Sequence, residues 1–120
     1  MKTFIFAAAA LGLVACAQQP DVTFKRITTA EEFNTAIVGK KLVYKGNYAI
    51  TRADGTVDGT FAGGFTGTWE WVDGFWCRII EGNADIQVND CQVFEIAGNQ
   101  VRNTRDKGAG RTVVYTIEDT

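Results

Sequence analysis

The hydrophobic and polar positions of the chain follow three patterns in turn. Residues 4–14 are almost entirely apolar, residues 30–38 carry apolar side chains at helical spacing, and after Gly39 apolar and polar positions alternate. Spacings of three and four place side chains on one face of a helix, and a period of two is typical of β-strands. The pattern predicts a short leader, one helix and a long β-rich region.

The helix has a start signal and a stop signal. Thr29-Ala30-Glu31-Glu32 matches a capping box, in which the Thr29 hydroxyl accepts an early backbone N–H and Glu32 reaches back. Phe33, Ala36 and Ile37 then share one face, and Gly39 closes the last turn. These signals predict one helix over residues 30–38.

Turn signals divide the rest of the chain into short strands. Asp54-Gly55 and Asp73-Gly74 are the clearest hairpin turns, and the glycines of residues 59–67 indicate a bulge or a tight barrel corner. The predicted strands cover residues 42–50, 57–61, 66–72, 75–80, 91–97, 100–105 and 111–117. A mainly β fold with 7–8 antiparallel strands follows, and we expect a small meander barrel in preference to a sandwich, with the helix capping one end or covering a face.

The apolar leader ends at a lipidation signal. One Lys precedes about eleven apolar residues, too few to span a bilayer, which needs ~20. Leu13-Val14-Ala15-Cys16 resembles the lipobox of bacterial lipoproteins, where a dedicated peptidase cuts before the Cys. Residues 1–15 are therefore predicted to be a signal peptide. The alternative is an ordinary signal peptide cut after Ala15 or Ala17, with Cys16 incidental.

The lipobox resemblance implies a membrane as partner. In lipoproteins the Cys thiol receives a diacylglyceryl group and the new amino terminus is usually acylated with a fatty acid such as palmitate, and two or three chains hold a protein firmly. Residues 16–23 would form a lipidated tether and residues 24–120 a single domain. Ala17 stands where an Asp would favour inner-membrane retention, so we expect an exported protein anchored in the outer membrane and facing the periplasm.

Composition removes several classes of function. Cleavage takes Lys2 from the 12 Lys and Arg, leaving 11 against 14 Asp and Glu, so a nucleic-acid partner is not expected. The chain has no His and no Ser, which excludes a Ser-His-Asp triad and any His-ligated metal site. Residues 59–67 lack the glycine spacing of a nucleotide loop. No cofactor is expected.

The other two cysteines are predicted to form a disulfide. With Cys16 committed to the lipid, Cys77 and Cys91 remain as an even pair in an oxidising compartment. A redox-active pair is the alternative, but the C-x-x-C spacing is missing.

The densest group of aromatic residues lies on the predicted hairpin of residues 67–78. Alternation places Trp69 and Trp71 on one face and Glu70 on the other. Two interpretations stay open: the aromatics and the disulfide fill the barrel core while Glu70 and Arg78 pair outside, or the hairpin lines a groove for a sugar, lipid or peptide. The candidate ligand-binding residues are Trp69, Glu70, Trp71, Trp76 and Arg78.

A second group of charged residues flanks the glycine-rich turn at 108–110. Backbone N–H groups beside cations can hold an anion, so Arg105, Lys107 and Arg111 are candidate anion-binding residues. The alternative is a solvated loop in which Asp106 offsets part of the charge.

Several short motifs resemble a family of small bacterial envelope lipoproteins. They are Thr29-Ala30-Glu31-Glu32-Phe33, Gly67-Thr68-Trp69-Glu70-Trp71, Gly74-Phe75-Trp76-Cys77-Arg78, Asp90-Cys91-Gln92 and Gly108-Ala109-Gly110-Arg111. Some members carry the label dihydrodipicolinate reductase, which the residues do not support because the nucleotide-binding βαβ unit is missing. The Gly-x-Trp strand with a Cys pair is more distantly similar to bacterial metalloprotease-inhibitor barrels.

These observations favour a non-enzymatic envelope lipoprotein whose barrel binds a small ligand or an envelope protein. The first alternative is a periplasmic protease inhibitor. The second is a small enzyme using Glu70 and Asp73, since glycosidases work with two carboxyl groups across a cleft.

Replacing Cys16 by Ala should move the protein from the membrane fraction to the soluble periplasmic fraction, because the acyl chains supply the attachment. Fractionation followed by immunoblotting measures this, with the unchanged chain as control. Membrane association that persists in Cys16→Ala would contradict the lipid anchor.

Overall fold

The computed structural model describes residues 22–119, so the leader and Cys16 lie outside the described residues. Nine strands and one helix follow one another along residues 22–119: β1 (Lys25–Arg26), α1 (Ala30–Ala36), β2 (Lys41–Tyr44), β3 (Asn47–Thr51), β4 (Thr56–Gly59), β5 (Phe65–Val72), β6 (Phe75–Glu81), β7 (Asn89–Ala97), β8 (Gln100–Thr104) and β9 (Thr112–Glu118). Within this part of the chain no helix is long and apolar enough to cross a membrane.

The strands form a closed meander barrel. Each strand from β2 to β9 pairs antiparallel with the next, and β9 returns to pair with β2 through Leu42↔Ile117 and its neighbours. β1 lies outside this ring of eight and pairs with β7, Arg26 opposite Glu95. The predicted mainly β barrel is confirmed.

The predicted segment 42–50 is two strands rather than one. Lys45 and Gly46 both have positive φ, 49° and 82°, and join β2 to β3 as a two-residue hairpin turn. Gly46 adopts this conformation without steric cost, and such turns match the twist of paired strands. The alternation on either side of Gly46 therefore belongs to two neighbouring strands.

Helix α1 caps one end of the barrel, which is one of the two placements predicted from the sequence. The Thr29 hydroxyl accepts a hydrogen bond from the Glu32 backbone N–H at 3.1 Å, and the Glu32 carboxylate accepts one from the Thr28 N–H at 3.1 Å. Phe33 is fully buried, and its ring centroid lies 5.4 Å from that of Trp69, 5.0 Å from Trp71 and 5.2 Å from Phe94. This aromatic plug fills the capped end.

The two ends of the barrel differ. The first strand, β1, lies at the capped end of the barrel. Its residue Lys25 pairs with Ile96, which is next to the turn between β7 and β8 at that end. The turn between β2 and β3 lies at the opposite end, together with the loops 60–64, 82–88 and 105–111. We call this opposite end the mouth.

The Cys77–Cys91 disulfide is present and lies on the outer surface of the barrel. It joins directly paired positions of β6 and β7, on the face opposite Trp76 and Arg78. The expectation that the disulfide shares a face with the interior aromatics was wrong. The tight turn pairs Val72 with Phe75, and this register places Glu70 opposite Cys77 on the outside.

The same register corrects the expected pair of Glu70 and Arg78. Arg78 lies opposite Trp69, so its side chain enters the barrel, whereas Glu70 is exposed on the outer face. Cross-strand partners always share a face of a sheet, so two residues one position out of register cannot pair.

Two glycines allow neighbouring strands to approach closely. A Cβ at Gly67 would meet the backbone carbonyl of Ile79, and one at Gly59 would meet the carbonyl of Tyr48. These contacts explain Gly59 and Gly67 as tight points of the barrel wall, whereas Gly63 and Gly64 belong to the loop 60–64 and have positive φ.

Replacing both Cys77 and Cys91 by Ala should lower the free energy of unfolding by about 3 kcal/mol, because the bridge restricts a short loop of the unfolded chain. Urea denaturation followed by tryptophan fluorescence measures the loss. The reduced wild-type protein is the matched control and should unfold at the same urea concentration as the double variant. A loss below about 1 kcal/mol would contradict a stabilising role of this size.

Candidate functional site

The interior of the barrel holds a cavity of about 320 Å³ that extends from its middle to the mouth. It lies between the aromatic plug and the loops, and exposed Ala62, Asp85 and Arg111 belong to its rim. An eight-stranded barrel is just wide enough either to be filled by side chains or to hold one small ligand. Here the capped half is filled and the half at the mouth is open.

Small side chains on the inward positions of two neighbouring strands leave this space. Ala49 and Thr51 of β3 and Val57 of β4 line the cavity, where the capped half has tryptophans and phenylalanines. Larger apolar residues complete the wall: Leu42, Phe65, Ile80, Ile86, Phe94 and Val113. The cavity is therefore mainly apolar, as small-molecule sites usually are.

A chain of buried polar side chains crosses one side of the cavity. Asn103 Nδ2 donates to the side-chain oxygen Oε1 of Gln92 at 2.7 Å, and Gln92 Nε2 donates to Asp90 Oδ2 at 2.8 Å. Asp90 Oδ1 accepts the backbone N–H of Asp106 at 3.0 Å, and Asp90 Oδ2 lies 4.0 Å from Arg78 Nη2. Buried polar groups need such partners, so this network of hydrogen-bonded side chains fixes Asp90 and Arg78 in place.

Arg78 is the most deeply buried cation of this wall, with 6% of its surface exposed. Its Nη1 donates to the Gln87 carbonyl at 2.9 Å. Burial lowers the pKa of Arg78, the Asp90 carboxylate opposes this effect, and the charge of Arg105 adds to it. The guanidinium remains charged at neutral pH, because arginine is not deprotonated in proteins.

Arg105, Arg111 and Tyr115 surround the mouth side of the cavity. Burial raises the pKa of Tyr115, and the positive charges of Arg105, Arg78 and Arg111 partly offset this. The three arginines are thus close enough to Tyr115 to act on it electrostatically. At neutral pH the phenol stays protonated and is able to donate a hydrogen bond.

An aromatic collar narrows the mouth. The Tyr115 ring packs edge-on against Tyr44, with centroids 6.1 Å apart, and against Phe61, with centroids 6.0 Å apart. Edge-to-face packing of this kind holds rings in fixed orientations. The collar gives the cavity an apolar rim beside its cationic side.

Trp76 contributes an unpaired donor. Its side chain lines the cavity with 6% of its surface exposed, and its Nε1 is the buried side-chain polar atom within residues 22–119 that lacks a hydrogen-bond partner. Leaving a buried N–H without an acceptor costs about 1–3 kcal/mol. Such a group needs an explanation, and its side chain lies at the wall of the cavity.

The structure divides the predicted ligand-binding residues into three groups. Trp76 and Arg78 line the cavity. Trp69 and Trp71 pack under α1 against Phe33, and Trp69 Nε1 donates to the Arg52 carbonyl at 2.7 Å. Glu70 lies outside.

The predicted anion-binding residues are also separated. Arg105 and Arg111 line the cavity, whereas the Lys107 ammonium lies 5.5 Å from the centroid of the Phe75 ring on the outer face of β6. Asp73 lies in the turn between β5 and β6, so neither it nor Glu70 reaches the cavity.

Sequence reasoning missed the polar residues Asp90, Gln92, Asn103 and Tyr115. The first two alternate with Phe94 along β7, so strand periodicity alone places them on one face. Polar residues on an inward face were the available signal. No group of three His, Cys, Asp or Glu within residues 22–119 has the arrangement to hold a metal ion.

Comparison with known proteins gives no relative: no protein-family model, no curated protein and no solved structure matches the chain. The resemblance to envelope lipoproteins therefore stays a prediction from sequence motifs.

Replacing Asp90 by Asn should destabilise the domain by about 3 kcal/mol, because it leaves the buried Arg78 charge without its carboxylate. Asp58→Asn is the matched control: it breaks the exposed pair of Arg52 and Asp58 at 3.0 Å and should cost much less. Urea denaturation of both variants checks this. Equal losses would contradict the structural importance of the buried pair.

Proposed function

We propose that this domain binds a small, largely apolar molecule inside its barrel and performs no chemistry on it. The observation that carries the proposal is the cavity of about 320 Å³ between the aromatic plug and the mouth. Protein interiors are normally packed to crystal-like density, with few voids larger than a water molecule. A space of this size in so small a domain is typical of a binding site.

The residues that line the cavity favour a ligand-binding site as its explanation, rather than a defect in packing. Phe61, Phe65 and Val113 line the cavity and are only half-buried, although burying apolar surface stabilises a fold by about 25 cal/mol per Å². A ligand covers this surface. The polar chain through Gln92 and Asn103 keeps the wall rigid, which lowers the entropic cost of binding.

The absence of chemistry is supported by the side chains at hand. The chain has no Ser and no His, and the cavity wall pairs no nucleophile with a base among the described residues. The carboxylates of Glu70 and Asp73 lie away from the cavity. Arginines, amides and phenols hold ligands in place by donating hydrogen bonds.

The cellular setting is proposed from the sequence. The lipobox at Leu13-Val14-Ala15-Cys16 supports export and a lipid anchor, and Ala17 favours the outer membrane. The domain would then act as a tethered binding protein in the envelope.

The neutral dye N-phenyl-1-naphthylamine should gain fluorescence on mixing with the soluble domain, because dye bound in the apolar cavity is removed from water. Ala49→Phe places a ring in the cavity and should weaken dye binding at least tenfold. Val114→Phe is the matched control, since Val114 is exposed on the outer face of β9, and it should bind the dye like the unchanged domain. Circular dichroism establishes that both variants fold.

Two results would contradict cavity binding. One is the absence of any fluorescence gain with the folded domain. The other is equal dye affinity in Ala49→Phe and Val114→Phe, which would place the dye on the surface.

A further inference from the structure

We propose that the ligand of this cavity is an amphipathic anion, with one carboxylate or phosphate head group and an apolar body. This inference rests on the proposed binding function and adds the chemical class of the ligand. It is carried by the arrangement of Arg78, Arg105, Arg111 and Tyr115 along one side of an otherwise apolar cavity.

The cationic side is unexpected for the chain as a whole. The protein has a formal net charge of −2, yet three arginines line one cavity. Like charges brought together repel, and this repulsion contributes to the lowered pKa of Arg78. Folding therefore gathers positive charge here at a cost, which an anionic ligand would offset.

Two of the three arginines have unused hydrogen-bonding capacity. Among residues 22–119, no side-chain hydrogen bond or ion pair involves Arg105 or Arg111. By contrast, the outward-facing Arg102 of the same hairpin holds Glu95 in a two-pronged pair at 2.8 and 2.9 Å. A planar guanidinium matches a carboxylate or phosphate in the same two-pronged way.

The carboxylates nearby do not neutralise the site. Asp90 is engaged by the Gln92 amide, the Asp106 N–H and the Arg78 charge. Asp85 is exposed in the loop at the rim. The charged side chains that line the cavity are thus three guanidinium groups and one carboxylate, that of Asp85, whereas Asp106 is exposed on the loop and does not line the cavity.

The uncharged polar groups on this wall also favour a ligand that accepts hydrogen bonds. A phenol is protonated at neutral pH even at its ordinary pKa, and burial raises the pKa of Tyr115 further, so this group is able to donate to an oxyanion. The Trp76 indole is able only to donate, and its buried Nε1 has no acceptor among the described residues. Both groups are able to donate a hydrogen bond to an oxygen lone pair, which an anionic head group supplies.

The rest of the cavity determines the polarity and the size of the remaining part of the ligand. Leu42, Val57, Phe65, Ile80 and Phe94 form an apolar wall, and the collar of Tyr44, Phe61 and Tyr115 continues it to the mouth. A volume of about 320 Å³ is at the lower end for small-molecule sites. It suits a single acyl chain or a small ring system.

Competition against bound N-phenyl-1-naphthylamine tests the head group. Decanoate and 1-decanol share a chain length and differ in charge, so decanoate should displace the dye at a concentration about tenfold lower, as one charge-assisted hydrogen bond provides. Decyl phosphate is the third competitor: whether it or decanoate displaces the dye better identifies the preferred head group. Either anion outperforming 1-decanol supports the proposal.

Arginine variants test the site itself. Arg105→Gln and Arg111→Gln should each remove most of the advantage of decanoate over 1-decanol, when the affinity of each competitor is calculated from that variant's own dye affinity. Arg102→Gln is the matched control, because it removes a cation of the same hairpin from the outer face, and it should keep the advantage. Circular dichroism verifies folding of all three.

The outcomes separate the two proposals. Absence of dye binding by the folded domain would overturn the cavity function itself. Normal dye binding with no preference for either anion over 1-decanol would overturn only the anionic class. An anion preference that survives in both Arg105→Gln and Arg111→Gln would also overturn it.

Discussion

Closure of the barrel is the constraint on which the rest of the structure depends. The pairing of β9 with β2 joins the first and last strands of the ring through three residue pairs. Once the ring is closed, every strand must direct one face inward, and residues distant in sequence share one small interior. Leu42, Arg78 and Tyr115 line the same cavity for this reason. The edges that an open sheet would expose are also removed, which protects against association between chains.

The aromatic plug determines how much of the interior remains open. Phe33 comes from outside the ring, on the helix, and packs against residues of β5 and β7. The plug concentrates the core at one end, where it supplies the burial that a domain of this size needs for stability. The opposite half is then free to have small and polar inward residues. The packed core and the proposed binding site thus occupy different halves of one barrel.

Local signals were sufficient for much of the fold. The capping residue Thr29 and the turn Asp73-Gly74 each determine structure over a few residues, so the helix and the β5–β6 hairpin were predictable. The face of Arg78 was also accessible, because a two-residue turn fixes which positions pair across it. The cavity could not be predicted from the sequence, because it forms where the closed ring brings Ala49, Arg105 and Tyr115 together. Their proximity depends on curvature, which no short stretch of sequence specifies.

The position of the mouth has a consequence for exchange. The chain arrives beside the capped end, and the mouth opens at the other. In a domain tethered through its amino terminus, that geometry directs the opening toward water and places the helix nearest the bilayer. Under the proposed lipid anchor and the proposed binding function, the domain would take up its ligand from water rather than from the bilayer. Direct extraction from the lipid phase would require the opposite orientation.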